Sequence, residues 1–549
     1  MALPRPVPWL IRRAPAARRA VGALGPAAED LARRVVPRAP AFARGPLYVA
    51  ALATVAARSI PRAIELGEAL LPAVDDARAR IALARIHQQA GAIHRPLALL
   101  DEVAAARRPA RLDARLRAEA RLLAAPIAPA AAAVPRPWPG DRRILYHASQ
   151  CLPHHSSGYA TRTHGLVTSL RAQGWDVEVH ARLGYPNDRA DFIGVPAVGP
   201  DAVVDGVPYR FVPDRERGQL ALDHEAYQAA SVASLIERAR LQRPAVIHSA
   251  SNHIVGLAGA AAARALGVPS IYEVRGLWHL TRASSQPWYR GSDHYRLIDR
   301  FEATAAASSD HVFVITGAVG DILADLGVPR ARMSVLPNAV DTDRFTPRPR
   351  DAALAARWGL GDHPVIGYLG SFKAYEGLDD LLEAAARLRA RRGPAFRVLL
   401  VGDGDAEPDL RARATRLGLD DVVVFTGRQP HAEMVRYYSL VDVMAFPRKG
   451  LPVCEVVSPL KPFEAMAMAR TVVVSSVAAL TEIVSHERTG LVHRKDDPDD
   501  LAAQLARCLD QPAWARALAE HGARWVRDHR SWQRVTSEID AVYQELGRR

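Results

Sequence analysis

From residue 144 onward the chain alternates short runs rich in valine and isoleucine with longer segments of helical periodicity, and it completes this alternation twice. The first set of runs is 144–148, 177–180, 245–248, 270–274 and 312–315, with helical segments such as 161–173 and 226–242 between them. Runs that are apolar on both faces belong in a sheet covered on both faces, and helices interposed between strands demand parallel crossovers. The pattern restarts at 365–369 and continues through 397–401, 422–425, 443–446 and 471–474. The fold class is therefore α/β: two Rossmann-like lobes with parallel sheets, 141–345 and 346–530, joined near 341–349. A final helical stretch within 531–549 follows the last strand, so it packs on an outer surface or crosses back to the first lobe.

Residues 1–123 read differently. From 59 to 123 the periodicity is helical throughout, with a turn at Gly91 and Pro96 near a helix start, where proline is tolerated. The stretch 83–91 resembles one tetratricopeptide unit, but the three repeats that a stable solenoid needs are missing. Residues 124–140 hold five prolines among alanines, the composition of a semi-rigid spacer, and a domain boundary is drawn there.

Charge follows the same division. Of a net charge of +13, residues 1–140 carry +12, with 22 arginines and no lysine. Either this extension makes a peripheral contact with an anionic membrane or a protein partner, or an Arg-rich composition decorates solvated helices. No nucleic-acid partner is expected. No apolar run is long enough to span a bilayer, which predicts a cytoplasmic chain, with the inner face of the membrane as the place for any peripheral contact. Cys151, Cys454 and Cys508 are too scattered for a disulfide framework or a zinc site.

Several segments after the linker resemble the retaining glycosyltransferases of family 4. They are Pro459-Leu-Lys-Pro-Phe-Glu-Ala-Met-Ala467, Leu336-Pro-Asn-Ala-Val-Asp341, Ser157-Gly-Tyr-Ala160, Tyr272-Glu-Val-Arg-Gly276 and Gly367-Tyr-Leu-Gly-Ser371. The resemblance covers about three quarters of the chain and implies the GT-B fold. It implies transfer of a sugar from a nucleotide diphosphate sugar, the co-substrate, to a carbohydrate or glycolipid acceptor, with no cofactor. A nucleotide-sugar epimerase of the same fold and a non-catalytic scaffold that binds through the helical extension remain alternatives.

Chemistry points to the same residues. Glu464 opens a helical stretch, where a carboxylate can accept from both vicinal hydroxyls of a ribose. Glu455, Pro459 and Leu460 complete the expected ribose and sugar contacts, and the resemblance places the base near Gly427 and Arg428. Only four lysines stand against 68 arginines, yet Lys373, Lys449 and Lys461 all fall in the segments assigned to the donor. A compact ammonium beside a departing diphosphate stabilises the transition state more than the ground state, and Lys461 is the first choice for that role. Arg275 is expected near the transferred sugar as a second catalytic group. Gly158 precedes a helix start suited to a phosphate.

The chain departs from the family's commonest pattern in two places. Where most relatives have an arginine and, five residues later, a lysine on the pyrophosphate, this chain has Ser371 and Glu376. Val456 stands eight positions before Glu464, where a glutamate is usual. Neutralisation of the phosphates is therefore expected to move to Arg275, Arg448, Lys449 and Lys461, with Lys373 and Ser371 also at the phosphates. Three Asp-x-Asp pairs occur, at 341/343, 403/405 and 497/499. Only the second is placed to hold a cation, and it matches an ordinary turn, so no metal is expected.

Overall fold

The alternation becomes two sheets in the computed structural model, which describes residues 27–124, 142–192, 198–219, 221–393 and 395–546. The first sheet contains β1 (Arg143–Ala148), β2 (Asp176–Ala181), β3 (Asp201–Val204), β4 (Val207–Arg210), β5 (Val246–Ala250), β6 (Ser270–Val274), β7 (His311–Val314) and β8 (Met333–Val335), in the order β3-β4-β2-β1-β5-β6-β7-β8. Only the β3–β4 pair is antiparallel. The second contains β9 (Val365–Leu369), β10 (Arg397–Val401), β11 (Val423–Gly427), β12 (Val443–Phe446), β13 (Thr471–Ser475) and β14 (Leu491–His493), all parallel, in the order β11-β10-β9-β12-β13-β14. Every residue of β5, β6, β9 and β13 is buried, as strands covered on both faces require. The strands that the sequence did not disclose, β3, β4, β8 and β14, are short and only partly buried, so they lack the run that is apolar on both faces.

Strand order reverses between β1 and β5 in one lobe and between β9 and β12 in the other. Crevices at such switch points, beyond the carboxyl ends of the strands, are where open parallel sheets hold ligands.

The last helix, Trp532–Leu546, lies in the core of the first lobe. Trp532, Val535, Ile539 and Tyr543 pack with Ile144, Leu166 and Val177, and Tyr543 Oη sits 2.7 Å from His248 Nδ1. The chain returns beside the outgoing connection: Val340 N donates to Arg530 O at 2.9 Å and Trp532 N to Val340 O at 3.3 Å.

The helical extension makes up most of a second compact unit. Its described helices are Ala27–Val35, Ala41–Ala56, Ile60–Leu70, Ala77–Gln89, His94–Asp101 and Ala110–Ala124, closed over Tyr48, Leu52, Leu66, Leu83, Ile86 and Leu99. Residues 1–26 and the linker beyond Ala124 lie outside the described residues. Among the described residues, no helix is long and apolar enough to cross a membrane.

The unit is not the extension alone, because it also includes residues 223–226 and 286–301. Asp293 Oδ2 accepts from Ile93 N at 2.9 Å and His94 N at 3.3 Å, so it caps the helix His94–Asp101 from 200 positions away in the chain. His294 N donates to Gly91 O at 2.9 Å, and the His224 ring stacks on Phe301. A boundary drawn from composition could not register such distant partners.

Burial pushes the Asp293 carboxyl up, but the two backbone donors, together with the charges of His94 and Arg296, hold it below the ordinary aspartate value. Its contribution is therefore present above the unfolded pKa and is lost as pH falls through the folded one. We expect Asp293→Ala to lower the stability of the protein near neutral pH by about 1–2 kcal/mol and Asp293→Asn by less, as read by urea unfolding monitored by circular dichroism.

Candidate active site

The carboxyl ends of β9, β10 and β12 bring three loops into close approach. Gly402, after β10, has φ +137°, and a Cβ there would lie 1.9 Å from Gly370 O, so only glycine permits the contact. Phe372 N donates to Asp403 O at 2.7 Å and Gly370 N to Val401 O at 2.8 Å, which fixes the turn after β9 against the turn after β10.

Into this junction comes Lys461, the first residue of the helix Lys461–Ala467. Its Nζ donates to Tyr368 Oη at 2.7 Å and lies 4.8 Å from the centre of the Tyr368 ring. The side chain passes directly over Gly370, where a Cβ would stand 2.1 Å from Lys461 Cε. The carboxylate nearest to it is Glu376, at 3.9 Å. Burial lowers the Lys461 pKa, with Glu376 opposing that effect and Arg448 adding to it.

Glu376 is itself buried and is held by Arg448, whose Nη2 and Nε reach its two oxygens at 3.1 and 3.3 Å. Burial would push this carboxyl up, but the Arg448 guanidinium and the Lys461 ammonium outweigh it and bring it down to about 2. Arg448 Nη1 donates to Val457 O at 2.7 Å, so this guanidinium is spent on a carboxylate and a carbonyl.

The other cations named from the sequence are engaged as well. Lys373 pairs with Asp405 at 2.5 Å, and Lys449 with Asp379 at 2.9 Å and Asp380 at 2.7 Å. Arg275, expected near the transferred sugar, is 3% exposed and turns into the first lobe. Its Nη2 donates to Glu273 Oε2 at 2.9 Å and to Tyr146 Oη, and its Nη1 to Thr163 Oγ1 at 2.7 Å. The charge of Glu273 draws Arg275 inward, and Arg162 Nε shares that carboxylate at 2.7 Å. Opposed to burial, the two guanidiniums keep Glu273 well below the ordinary glutamate range.

Glu464 lies in the first turn of the same helix as Lys461, and its Oε2 accepts from Tyr438 Oη at 2.8 Å. Burial raises its pKa, while the Tyr438 hydrogen bond and Lys461 pull the other way. Glu455 does not join it. Its Oε2 accepts from Ala478 N at 2.8 Å and its Oε1 from Lys495 Nζ at 2.6 Å, so it ties the helix Pro452–Val456 to the segments after β13 and β14. Gly427 ends β11, and Arg428 reaches Asp403 at 3.1 Å. Ser371 O accepts from Tyr368 Oη at 3.1 Å.

Across the crevice, Ser157 Oγ accepts from Ala160 N at 3.4 Å, so the helix Gly158–Ala172 begins three residues before the periodicity indicates, and Gly158 is its first residue. A Cβ on Gly158 would lie 3.6 Å from Leu460 Cδ1, which places this helix start opposite Pro459–Leu460. Sequence reasoning missed Tyr368, Tyr438, Arg162 and Glu273. Tyr368 and Glu273 lie in quoted motifs; for Tyr438 and Arg162, only spatial partners reveal the role.

The comparisons with known proteins identify the family and the fold. The models described as "Glycosyl transferase 4-like domain" and "Glycosyl transferases group 1" match residues 157–339 and 363–511. A D-inositol 3-phosphate glycosyltransferase of Saccharomonospora viridis is 30% identical over 394 residues, 69% of this chain and 87% of the relative. An alpha-D-kanosaminyltransferase of Streptomyces kanamyceticus is 28% identical over 289 residues, 52% of this chain and 72% of the relative. Among solved structures, sucrose-phosphate synthase from Thermosynechococcus elongatus superposes with a TM-score of 0.59 at 22% identity, covering 74% of this chain and 99% of its own. Anabaena HepE in complex with UDP and glucose gives 0.57 at 17%, covering 73% and 99%. Fold and sequence together define a glycosyltransferase of GT-B architecture. The chain belongs to glycosyltransferase family 4.

Gly370 offers a direct test of the Lys461 geometry. The atoms an added methyl would meet are the flexible end of a lysine, but φ there is +149°, so some backbone strain accompanies the change. We expect Gly370→Ala to lower transfer on the order of tenfold or more while the cooperative unfolding transition is retained at a modestly lower temperature, as followed by product formation and differential scanning calorimetry.

Proposed function

We propose that this glycosyltransferase moves a sugar from a nucleoside diphosphate to a hydroxyl of a carbohydrate or glycolipid acceptor, with retention at the anomeric carbon and without a metal ion. One observation carries the reading. Of the five cations assigned to the phosphates, four have a carboxylate within 3.1 Å, and Lys461 has its nearest at 3.9 Å. Lys461 is the cation left to meet the leaving diphosphate. Names of relatives support the donor and acceptor classes: a "GDP-mannose-dependent alpha-(1-6)-phosphatidylinositol monomannoside mannosyltransferase" of Mycolicibacterium smegmatis is 33% identical over 210 residues, 37% of this chain and 54% of the relative. Synthesis of a polysaccharide or glycoconjugate is the matching role.

In this reading Lys461 stabilises charge on the departing phosphate, and Glu464 receives the ribose hydroxyls. The acceptor hydroxyl attacks from the side the diphosphate leaves, and the donor phosphate takes its proton, so no strong general base is required. Arg275 shapes the acceptor lobe through Glu273 and does not meet the phosphates. Asp403 and Asp405, tied to Arg428 and Lys373, support metal independence. The basic extension, residues 1–123, is read as the site of a peripheral contact, either with the inner face of the membrane, in the cytoplasm, or with a protein partner. Proton NMR of the product anomer formed from GDP-mannose or UDP-glucose tests retention; an inverted product would overturn it.

Glu464 separates binding from stability. Because burial raises its pKa, the folded chain holds the proton more tightly than the unfolded one, so stability falls as pH rises from the unfolded value through the folded one. Glu464→Gln removes that loss yet cannot accept from two ribose hydroxyls. We expect its melting temperature near neutral pH to equal or exceed that of the wild type, while affinity for UDP or GDP weakens by about 1–3 kcal/mol in calorimetric titration.

A further inference from the structure

Three consecutive carbonyls precede the helix that carries Lys461, and each is held by a side chain from a different element. Val456 O accepts from Thr316 Oγ1 at 2.6 Å, Val457 O from Arg448 Nη1 at 2.7 Å, and Ser458 O from Asn338 Nδ2 at 2.7 Å. Thr316 follows β7, and Asn338 follows β8, so two of the three donors belong to the first lobe, whereas the carbonyls belong to the second. Carbonyls at a helix end and in the segment just beyond it are commonly left to water. Here the donors are 0%, 5% and 3% exposed for Thr316, Arg448 and Asn338.

Each donor is itself fixed. Thr316 Oγ1 also accepts from Val319 N at 3.3 Å and caps the helix Gly317–Asp325. Asn338 Oδ1 accepts from Arg162 Nη1 at 2.9 Å, and Arg162 is anchored on Glu273. Arg448 is anchored on Glu376, the carboxylate that also faces Lys461. Lys461 follows Ser458 by three residues, with Pro459 restricting the backbone between them.

We propose that Thr316 and Asn338 are positioning residues for transfer: by gripping Val456 and Ser458 from the first lobe, they set the approach of Lys461 to the diphosphate. This inference rests on the role given to Lys461 above. It makes the placement of a donor-lobe cation depend on the acceptor lobe being in contact, through groups that touch no substrate.

Asn338→Asp is the sharpest probe, since it keeps the oxygen that Arg162 holds and replaces the donor to Ser458 O with a second oxygen. Thr316→Val removes the other grip, and Thr316→Ser restores it. Nucleoside diphosphate release from UDP-glucose and GDP-mannose is measured for each variant alone and combined with Lys461→Ala. We expect Asn338→Asp and Thr316→Val each to lower kcat on the order of tenfold, with donor KM within about threefold and Thr316→Ser near wild type. In the Lys461→Ala background the same changes should cost less than about twofold, because the group they position is gone. Full multiplication with Lys461→Ala, an effect confined to KM, or unchanged release by both grip variants overturns the inference while the proposed function stands. If Lys461→Ala itself leaves release unchanged, the reading of the site falls and this inference with it.

Discussion

A carboxylate buried as deeply as Glu376 keeps its charge only if cations compensate for the water it has lost. Arg448 supplies two N–H groups and Lys461 a nearby ammonium, so the position of one acidic side chain determines where both cations of this pocket point. The resemblance to family 4 leads one to expect a phosphate-binding lysine at this position, and the chain has Glu376. With an acid there, Arg448 is consumed as its counter-ion and as the brace of Val457, and the remaining positive charge is concentrated on Lys461. The loops that carry these groups approach within the space that only Gly370 and Gly402 allow, so the glycines and the ion pair are parts of one constraint.

The first lobe repeats the device with different partners. Glu273, 1% exposed, lies between Arg162 and Arg275 and accepts from Tyr146 Oη at 2.5 Å. Removing one member of such a cluster leaves an uncompensated charge, which costs more than the cluster contributes as a whole. Its use is in orientation. Arg162 reaches Leu336 O, Pro337 O and Asn338 Oδ1 at 2.7–2.9 Å, so the segment after β8 is held by a residue of the helix that opens at Gly158.

Most of the fold is legible in the sequence because buried parallel strands must be apolar on both faces, and ten such runs stand out from their surroundings. Short strands that are only partly buried carry no such signal, and neither does Asp293, which caps a helix 200 residues away. At the site, Lys461 and Glu464 are conspicuous because a lysine runs against the arginine bias and because a carboxylate opens a helix after a proline-bounded loop. Direction was not legible. Sequence places Arg275, Arg448, Lys373 and Lys449 near the carboxyl ends of strands, but whether a cation faces the crevice or an internal acid depends on Glu273, Glu376, Asp405, Asp379 and Asp380. Glu273 lies two residues before Arg275, but the other acids come from distant elements, and nothing local announces those pairings.

The lobes are joined covalently at one place, where the outgoing connection at Val340 and the returning chain at Arg530 and Trp532 run side by side with two backbone hydrogen bonds. Near Lys461 they are joined by single hydrogen bonds from Thr316 and Asn338 to carbonyls, each contributing about 0.5–1.5 kcal/mol net. A paired crossing resists separation, whereas contacts of that size can break and reform during a catalytic cycle in which a nucleotide must leave. The stronger charge clusters therefore lie within lobes, where they fix side-chain direction. The interlobe hydrogen bonds beside the Lys461 helix are individually weak, so the first lobe's grip on Val456 and Ser458 can be released at far less cost than any charge cluster within a lobe.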